Sequence, residues 1–203
     1  MNRNINLRME EVKARLRDRL KPIKEVTVTE AKDIIGKYTA AIEGNFVPWM
    51  AAAALYARSL QGEYTAKENL AVEIKDNHQG ILRTFARCAK AEPSLKHYQA
   101  VEKAVASMRN FIGKGNGLEA LTVMATLENT STVFIPYLAE LARKRGSINL
   151  CYTDIHGEAD AEHAQLFIWA VEHEMKLDQN ATRANMVSEF ASTQTFHYLK
   201  AIF

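Results

Sequence analysis

The sequence predicts an all-α protein, because its apolar residues follow a helical period. They recur about every 3.6 positions along most of the chain, and sustained alternation with a period of two is absent apart from EVTVTE at 25–30. Pro48, Pro93, GKGNG at 113–117 and DQN at 178–180 separate the periodic segments. We therefore expect helices near residues 5–20, 29–43, 48–60, 65–88, 94–112, 117–145, 153–176 and 181–202.

The chain of 203 residues is long enough for one compact domain with a sizeable core. No repeat, low-complexity tract or linker divides it, so we expect a single domain over residues 1–203. Residues 1–24 form a basic amphipathic helix in which Lys and Arg outnumber Asp and Glu. Such a helix can lie on a membrane or a partner, but a solvated peripheral helix is the commoner outcome, and we assign it no function.

The composition disfavours several classes of function. Lys and Arg number 26 against 24 Asp and Glu, a balance that gives no reason to expect a nucleic-acid partner. No apolar run approaches the ~18 residues that span a bilayer, and the N-terminal segment lacks the hydrophobic block of a signal peptide. Cys88 and Cys151 form no CxxC pair, which is typical of reduced cysteines in a cytoplasmic protein. We expect a cytoplasmic protein with no membrane partner.

Three polar residues interrupt the apolar face of the helix expected at 153–176. At about 100° per residue, His156, Asp160 and His163 fall within a stripe about 60° wide, which Phe167 and Ala170 continue. Burying two imidazoles and a carboxylate costs several kcal/mol unless charge and hydrogen bonds are compensated. Iron, manganese or zinc would compensate them, because imidazole and carboxylate suit these metals. A hydrogen-bonded His–Asp–His core cluster or a half-exposed polar face is the alternative.

Two carboxylates on other helices are candidate partners for this stripe. Glu128 shares an apolar face with Leu121, Met124 and Ile135, where an unpaired glutamate is rarely left. A hydrogen bond from a nearby hydroxyl or a buried arginine would also explain it. Glu43 ends an Ala- and Ile-rich helix, and a solvated helix end explains that position equally well.

The helix expected at 65–88 offers His78 and two carboxylates. On a continuous helix Glu68 lies about 80° from His78 and Glu73 about 140° away, so the geometry favours Glu68. Thr65 and Glu68 also match a capping box, in which Glu68 would bind the Thr65 amide. A local break at KDNHQG, 75–80, would instead turn Glu73 inward.

In their order along the chain, the candidate ligands resemble the ligand series of the heme-oxygenase-like diiron oxidases and oxygenases, non-haem iron enzymes built on a seven-helix bundle. The candidates are Glu43, Glu68, His78, Glu128, His156, Asp160 and His163. The similarity spans residues 43–163, and His156-x3-Asp160-x2-His163 is its most specific part. The resemblance implies two bound iron ions, with Glu68 as a mobile additional carboxylate that opens a coordination position for O2. The implied iron ligands are Glu43, His78, Glu128, His156, Asp160 and His163.

The sequence departs from the family's usual pattern just before His78. The Glu-Glu-Gly run that is usual before the histidine is replaced by VEIKDNH at 72–78, so the choice between Glu68 and Glu73 stays open. Members of the superfamily oxidise amino acids or fatty acids, by N-oxygenation, C–C fragmentation, or alkene or nitrile formation. The resemblance thus implies an O2-dependent oxidoreductase with a small-molecule substrate, and it leaves room for an external electron donor and for a homodimer.

Aromatic residues near the candidate ligands favour one substrate class. Phe46, Trp49, Phe134, Tyr137 and Phe167 flank them in sequence, and aromatic walls suit a flat, apolar side chain, although aromatics at helical spacing ordinarily fill a bundle core. We expect an amino acid with a bulky aromatic side chain. A fatty acid would need an aliphatic channel, which the Ala-rich run at 50–57 could line.

Three other classes compete with a diiron enzyme. A ferritin-like protein needs two E-x-x-H elements on separate helices, but Lys75 occupies the position three before His78. A TenA-like thiamin-salvage hydrolase shares the heme-oxygenase-like scaffold but needs a cysteine nucleophile, and neither cysteine sits near an evident base. The third class is a metal-free binding or structural protein whose polar cluster specifies packing.

Overall fold

The all-α prediction is confirmed by the helices of the chain. The computed structural model describes the backbone of residues 3–203 and the side chains of residues 5–157, 159 and 162–203. Over this range there are nine α-helices, a short 3-10 helix at Ile23–Glu25 and no strand. The helices are α1 (Arg3–Arg17), α2 (Val28–Ile42), α3 (Phe46–Tyr56), α4 (Leu60–Lys75), α5 (His78–Cys88), α6 (Leu95–Lys114), α7 (Gly117–Lys144), α8 (Cys151–Lys176) and α9 (Ala181–Lys200). Within this described part, no helix combines the length and apolar character needed to cross a membrane.

Helix α7 is central and packs against α1, α2, α3, α8 and α9. Its buried hydroxyls are satisfied along the helix itself. Thr122, Thr126 and Thr130 each donate to the carbonyl four residues earlier at 2.7 Å. Because local bonds satisfy these neutral polar groups without another helix, a buried carboxylate on α7 stands out as a group that needs a partner elsewhere.

The basic first helix, which the sequence places at the periphery, buries its apolar stripe. That stripe lies in the bundle, where α1 contacts α7 and α9, and it consists of Ile5, Met9, Val12 and Leu16. Arg8 pairs with Glu189 at 2.9 Å, and the Arg15 guanidinium lies 3.9 Å above the ring centroid of Phe196. Helix α1 is therefore packed into the bundle through one face and pairs two of its basic residues, Arg8 and Arg15, with α9.

The single helix expected at 65–88 is wrong, because the structure has two helices there. Helix α4 is capped by Ser59, so Thr65 lies inside it and the predicted capping box with Glu68 does not form. Asn77 then adopts a left-handed conformation with φ 52°, and its side chain caps α5 by accepting from the Gly80 amide. The break at KDNHQG therefore separates α4 from α5.

A buried carboxylate fixes the connection between α3 and α4. Glu174 of α8 is fully buried and accepts from the amides of Arg58 and Ser59 at 3.1 and 2.8 Å. Gly117 begins α7 beside it, and a Cβ there would come within 2.8 Å of the carboxylate. Glu174 thus joins α8 to the start of α4 and lies against the first residue of α7.

Replacing Glu174 by alanine is expected to lower the free energy of unfolding by about 2–4 kcal/mol, because the buried Ser59 amide and the partly buried Arg58 amide lose a charged acceptor. Chemical denaturation measures the change. Glu102→Ala, at an exposed position of α6, is the matched control and should change stability by less than about 0.5 kcal/mol. Equal stabilities of the two variants would contradict a structural role for Glu174.

Candidate metal centre

A mainly apolar cavity is lined by α2, α3, α4, α5, α7 and α8. It contains about 540 Å³ of empty space, including its opening to solvent. Its charged or hydrogen-bonding side chains come from α2, α4, α5, α7 and α8, and they include Glu73, His78, Gln79, Glu128 and His156. The cavity therefore combines apolar walls with a local concentration of potential metal ligands.

Glu73, His78 and His156 bring three potential ligand atoms within 4.8 Å of one another. A hydrogen bond of 2.7 Å joins Glu73 Oε1 to His78 Nδ1 across the α4–α5 break. The His78 and His156 rings pack edge to face with their centroids 4.8 Å apart, which brings α8 to α5. The three side chains are buried or half-buried, so this is a cluster of the protein interior.

The break between α4 and α5 produces this cluster. A continuous helix would hold Glu73 and His78 about 140° apart. The left-handed turn at Asn77 redirects the chain, and the Glu73 carboxylate then meets the imidazole. Glu68, which a continuous helix favours, is exposed to solvent on α4. The structure therefore brings Glu73, rather than Glu68, to His78.

Glu128 and His163 form a second group between α7 and α8. Glu128 lines the same cavity, and its Oε2 lies 4.0 Å from His163 Nδ1. The neighbouring hydroxyl of Ser131 donates to the Glu128 backbone carbonyl. His156 and His163 lie on the face of α8 that the sequence indicates. Asp160 also lies in α8, but its side chain is outside the described residues.

Glu43 lies beside the cavity but faces a different surface. It caps the C-terminus of α2, and its carboxylate pairs with Arg83 of α5. Glu43 lines a groove between α2 and α6, whereas Ile42 lines the cavity. As a metal ligand Glu43 stays a prediction, and it would have to leave Arg83 to reach the cluster.

The donor set of the cluster fits a divalent transition metal. Ligand atoms that share one ion at about 2.1 Å lie at most about 4.2 Å apart. Atoms that lie within 4.8 Å of one another need only small side-chain rotations to reach that geometry. Imidazole and carboxylate donors together suit iron or manganese. Metal binding requires the carboxylate and one nitrogen of each imidazole in their deprotonated forms.

Two tyrosines that the sequence pattern does not single out line the cavity beside His156. The rings of Tyr152 and His156 have centroids 4.5 Å apart, and the hydroxyls of Tyr152 and Tyr38 are 2.6 Å apart. Tyr152 precedes His156 by four residues, so helical spacing alone can identify it. Tyr38 lies on α2, and only the tertiary structure brings it to this place.

The aromatic residues expected near the ligands divide into two groups. Phe46 and Phe134 line the cavity. The others lie elsewhere in the described structure: Trp49 packs edge-on against a tyrosine of α9, Phe167 is fully buried in the core, and Tyr137 donates to a backbone carbonyl at the surface. The aromatic wall of the cavity is therefore smaller than the sequence predicts and contains Tyr38 and Tyr152 instead.

The sequence of the chain also matches the model of a known protein family. The model of a family described as iron-containing redox enzymes matches residues 42–197, a range that includes every candidate ligand named above. The chain belongs to this family. Its helices have the heme-oxygenase-like all-α fold that the resemblance implies, and its class is that of an oxidoreductase that contains iron. No curated protein sequence matches the chain.

Glu73 and Glu68 provide a matched pair of variants on one helix. We expect Glu73→Ala to weaken Fe(II) binding by at least about tenfold. Loss of a residue that only supports a metal ligand already lowers metal affinity by about this much, and Glu73 is expected to bind the metal itself. Glu68→Ala should bind iron as the unmodified protein does, because its side chain is exposed. Anaerobic iron titration followed by metal analysis distinguishes the two variants. Loss of iron in Glu68→Ala alone would reverse the assignment.

Proposed function

We propose that this protein is a non-haem enzyme with two iron ions that uses O2 to oxidise a small molecule. The observation that carries this proposal is the Glu73–His78–His156 cluster, which shares a cavity with Glu128. Family membership supplies iron and redox chemistry. Two groups of nitrogen and oxygen donors on different helices support a second ion, because one ion would not need both groups.

The proposed ligand sets follow these two groups. Glu73, His78 and His156 would hold one ion, and Glu128 and His163 would contribute to the other. Asp160 completes the implied series from α8, and Glu43 is a further candidate from α2. Bound iron would supply the electrons that reduce O2.

The side chains that line the cavity suit both a metal and an organic substrate. Leu82, Leu127 and Ile135 line it with aliphatic carbon and keep water away from the cluster. The Glu73 carboxylate holds the His78 ring through a hydrogen bond of 2.7 Å and so orients its imidazole. The apolar wall thus favours an organic substrate, whereas the donor cluster favours a metal.

Anaerobic loading is expected to give about two Fe(II) per chain, because two donor groups are present. His156→Ala and His163→Ala should each lose about one equivalent or more. His173→Ala is the control on the same helix, since that ring bonds to the Trp169 carbonyl near the other end of α8. Metal analysis gives the stoichiometry, and Mössbauer spectra after exposure to O2 distinguish a coupled pair from isolated ions.

Two results would count against this function. Full iron loading in both His156→Ala and His163→Ala would place the iron elsewhere. A single, uncoupled iron per chain would leave an iron-containing redox enzyme but remove the two-iron proposal. A TenA-like hydrolase is less well supported, because it needs a cysteine nucleophile and neither Cys88 nor Cys151 is among the described residues that line the cavity.

We propose an amino acid with a bulky aromatic side chain as the substrate. Phe46, Phe134, Tyr38 and Tyr152 supply flat apolar walls. Among the described residues that line the cavity there is no lysine or arginine, so a substrate carboxylate would have no cationic side chain there and would dock on the metal. The Ala-rich run that could line a fatty-acid channel lies on α3, where Ala53 and Ala54 are buried in the bundle core.

Aromatic amino acids, including ring-substituted ones, are expected to bind the iron-loaded protein and to raise its rate of O2 uptake. Phe134→Ala should weaken their binding by about tenfold or more, since a buried aromatic contact contributes of order 1–2 kcal/mol. Phe190→Ala, at an exposed position of α9, is the control. Medium-chain fatty acids are tested beside them. Stimulation by a fatty acid while every amino acid fails would overturn the substrate but not the iron centre.

A further inference from the structure

A continuous series of aromatic rings leads from His156 to the surface. Tyr152 lies against His156 with ring centroids 4.5 Å apart, and Tyr38 lies 6.1 Å from Tyr152. Phe203 follows at 6.2 Å from Tyr38, and Tyr137 lies 6.3 Å from Phe203. Neighbouring rings in this series are thus in contact or nearly so, and the series begins at a member of the candidate metal cluster.

The burial of these rings changes along the series. Tyr152 and Tyr38 are 4% and 2% exposed, and their hydroxyls form a hydrogen bond of 2.6 Å. Tyr137 is half-buried and donates to the Lys21 carbonyl at 3.1 Å. Tyr137 and Phe203 also line a surface pocket with Lys37, which solvent and small solutes can reach. The series therefore connects an interior tyrosine pair to an accessible tyrosine.

Phenol side chains are among the groups in proteins that are most easily oxidised by one electron, and electrons pass readily between aromatic rings in contact. An iron centre that O2 has oxidised in the absence of substrate retains oxidising equivalents with no productive acceptor. Tyr152 is an oxidisable side chain beside the cluster, because its ring lies against that of His156. Damage at the ligands follows unless these equivalents leave the site.

We propose that Tyr152, Tyr38 and Tyr137, linked through Phe203, carry one-electron oxidising equivalents from the iron centre to the protein surface when no substrate consumes them. This proposal rests on the iron function proposed above. It adds a protective activity of residues that bind neither metal nor O2. The order of transfer follows the order of the rings, from Tyr152 to Tyr38 and then to Tyr137.

Each transfer balances in electrons and protons. Tyr152 or Tyr38 gives one electron to the oxidised iron centre, and the proton of the hydroxyl pair passes to a carboxylate or water in the cavity that both phenols line. Tyr137 then gives one electron to the radical of the pair, which takes a proton back from the cavity and becomes a phenol again. Tyr137 loses its own proton to solvent. A thiol or ascorbate in solution returns a hydrogen atom to the Tyr137 radical.

The test exposes the iron-loaded protein to O2 without substrate and in the presence of a nitroso spin trap. Peptide mass spectrometry locates the trapped radical, and freeze-quench EPR with ring-deuterated tyrosine shows that it is a tyrosyl radical. We expect an adduct on Tyr137. Tyr38→Phe should abolish it, because two rings that are not oxidised, instead of Phe203 alone, would then separate Tyr152 from Tyr137. Tyr64→Phe, at an exposed tyrosine of α4 outside the series, should leave the adduct unchanged.

Tyr137→Phe gives an independent readout. It removes the surface end of the series and leaves the cavity residues in place, so iron content and substrate-dependent O2 uptake should not change. The EPR signal of the buried pair should then persist longer than in the unmodified protein.

Iron content and O2 uptake are measured in the same samples. If the samples bind iron and consume O2, either of two results overturns the path alone. One is a Tyr137 adduct that persists in Tyr38→Phe, and the other is the lack of a Tyr137 adduct in the unmodified protein. A sample that neither binds iron nor consumes O2 overturns the path together with the iron function.

Discussion

The hydrogen bond between Glu73 and His78 depends on the left-handed conformation of Asn77, and the candidate metal cluster depends on that bond. Asparagine tolerates this conformation better than most residues, because its short side chain bonds to the nearby backbone. Here that side chain accepts from the Gly80 amide at 3.2 Å and begins α5. Gly80 has its own part in the turn, because a Cβ there would collide with the Asn77 side chain. Two small local constraints thus orient two potential metal ligands.

Buried carboxylates in this fold are of two kinds, and their partners distinguish them. Glu174 accepts from the backbone amides of Arg58 and Ser59 and from the Arg58 guanidinium at 3.3 Å, so the protein itself compensates this fixed negative charge. Glu73 and Glu128 instead face imidazoles, which can bind a proton or a metal. Burial alone therefore does not identify a functional carboxylate. The chemistry of the partner group separates a structural clamp from a candidate ligand.

Periodicity predicts the fold class and most of the helices, because each helix buries one apolar face in the bundle. It also identifies His156 and His163, since two histidines on that face need compensation wherever the helix packs. The α4–α5 break escapes prediction for a physical reason. A single residue in a left-handed conformation changes the direction of the chain without changing the apolar period around it, so Glu68 looks better placed than Glu73. Tyr38 escapes because it reaches the cavity from a helix distant in sequence.

Burying the hydroxyls of Tyr38 and Tyr152 costs free energy that packing alone does not explain. Phenylalanine at positions 38 and 152 would fill the same space without burying two hydroxyls, which require a partner in apolar surroundings. Each hydroxyl supplies that partner to the other at 2.6 Å, so the pair is tolerated, but such a bond adds only about 1 kcal/mol to stability. Packing therefore gives little reason to place two oxidisable phenols against a candidate iron ligand. Their position beside His156, at the inner end of a ring series that reaches the surface, accords with the transfer of electrons proposed above.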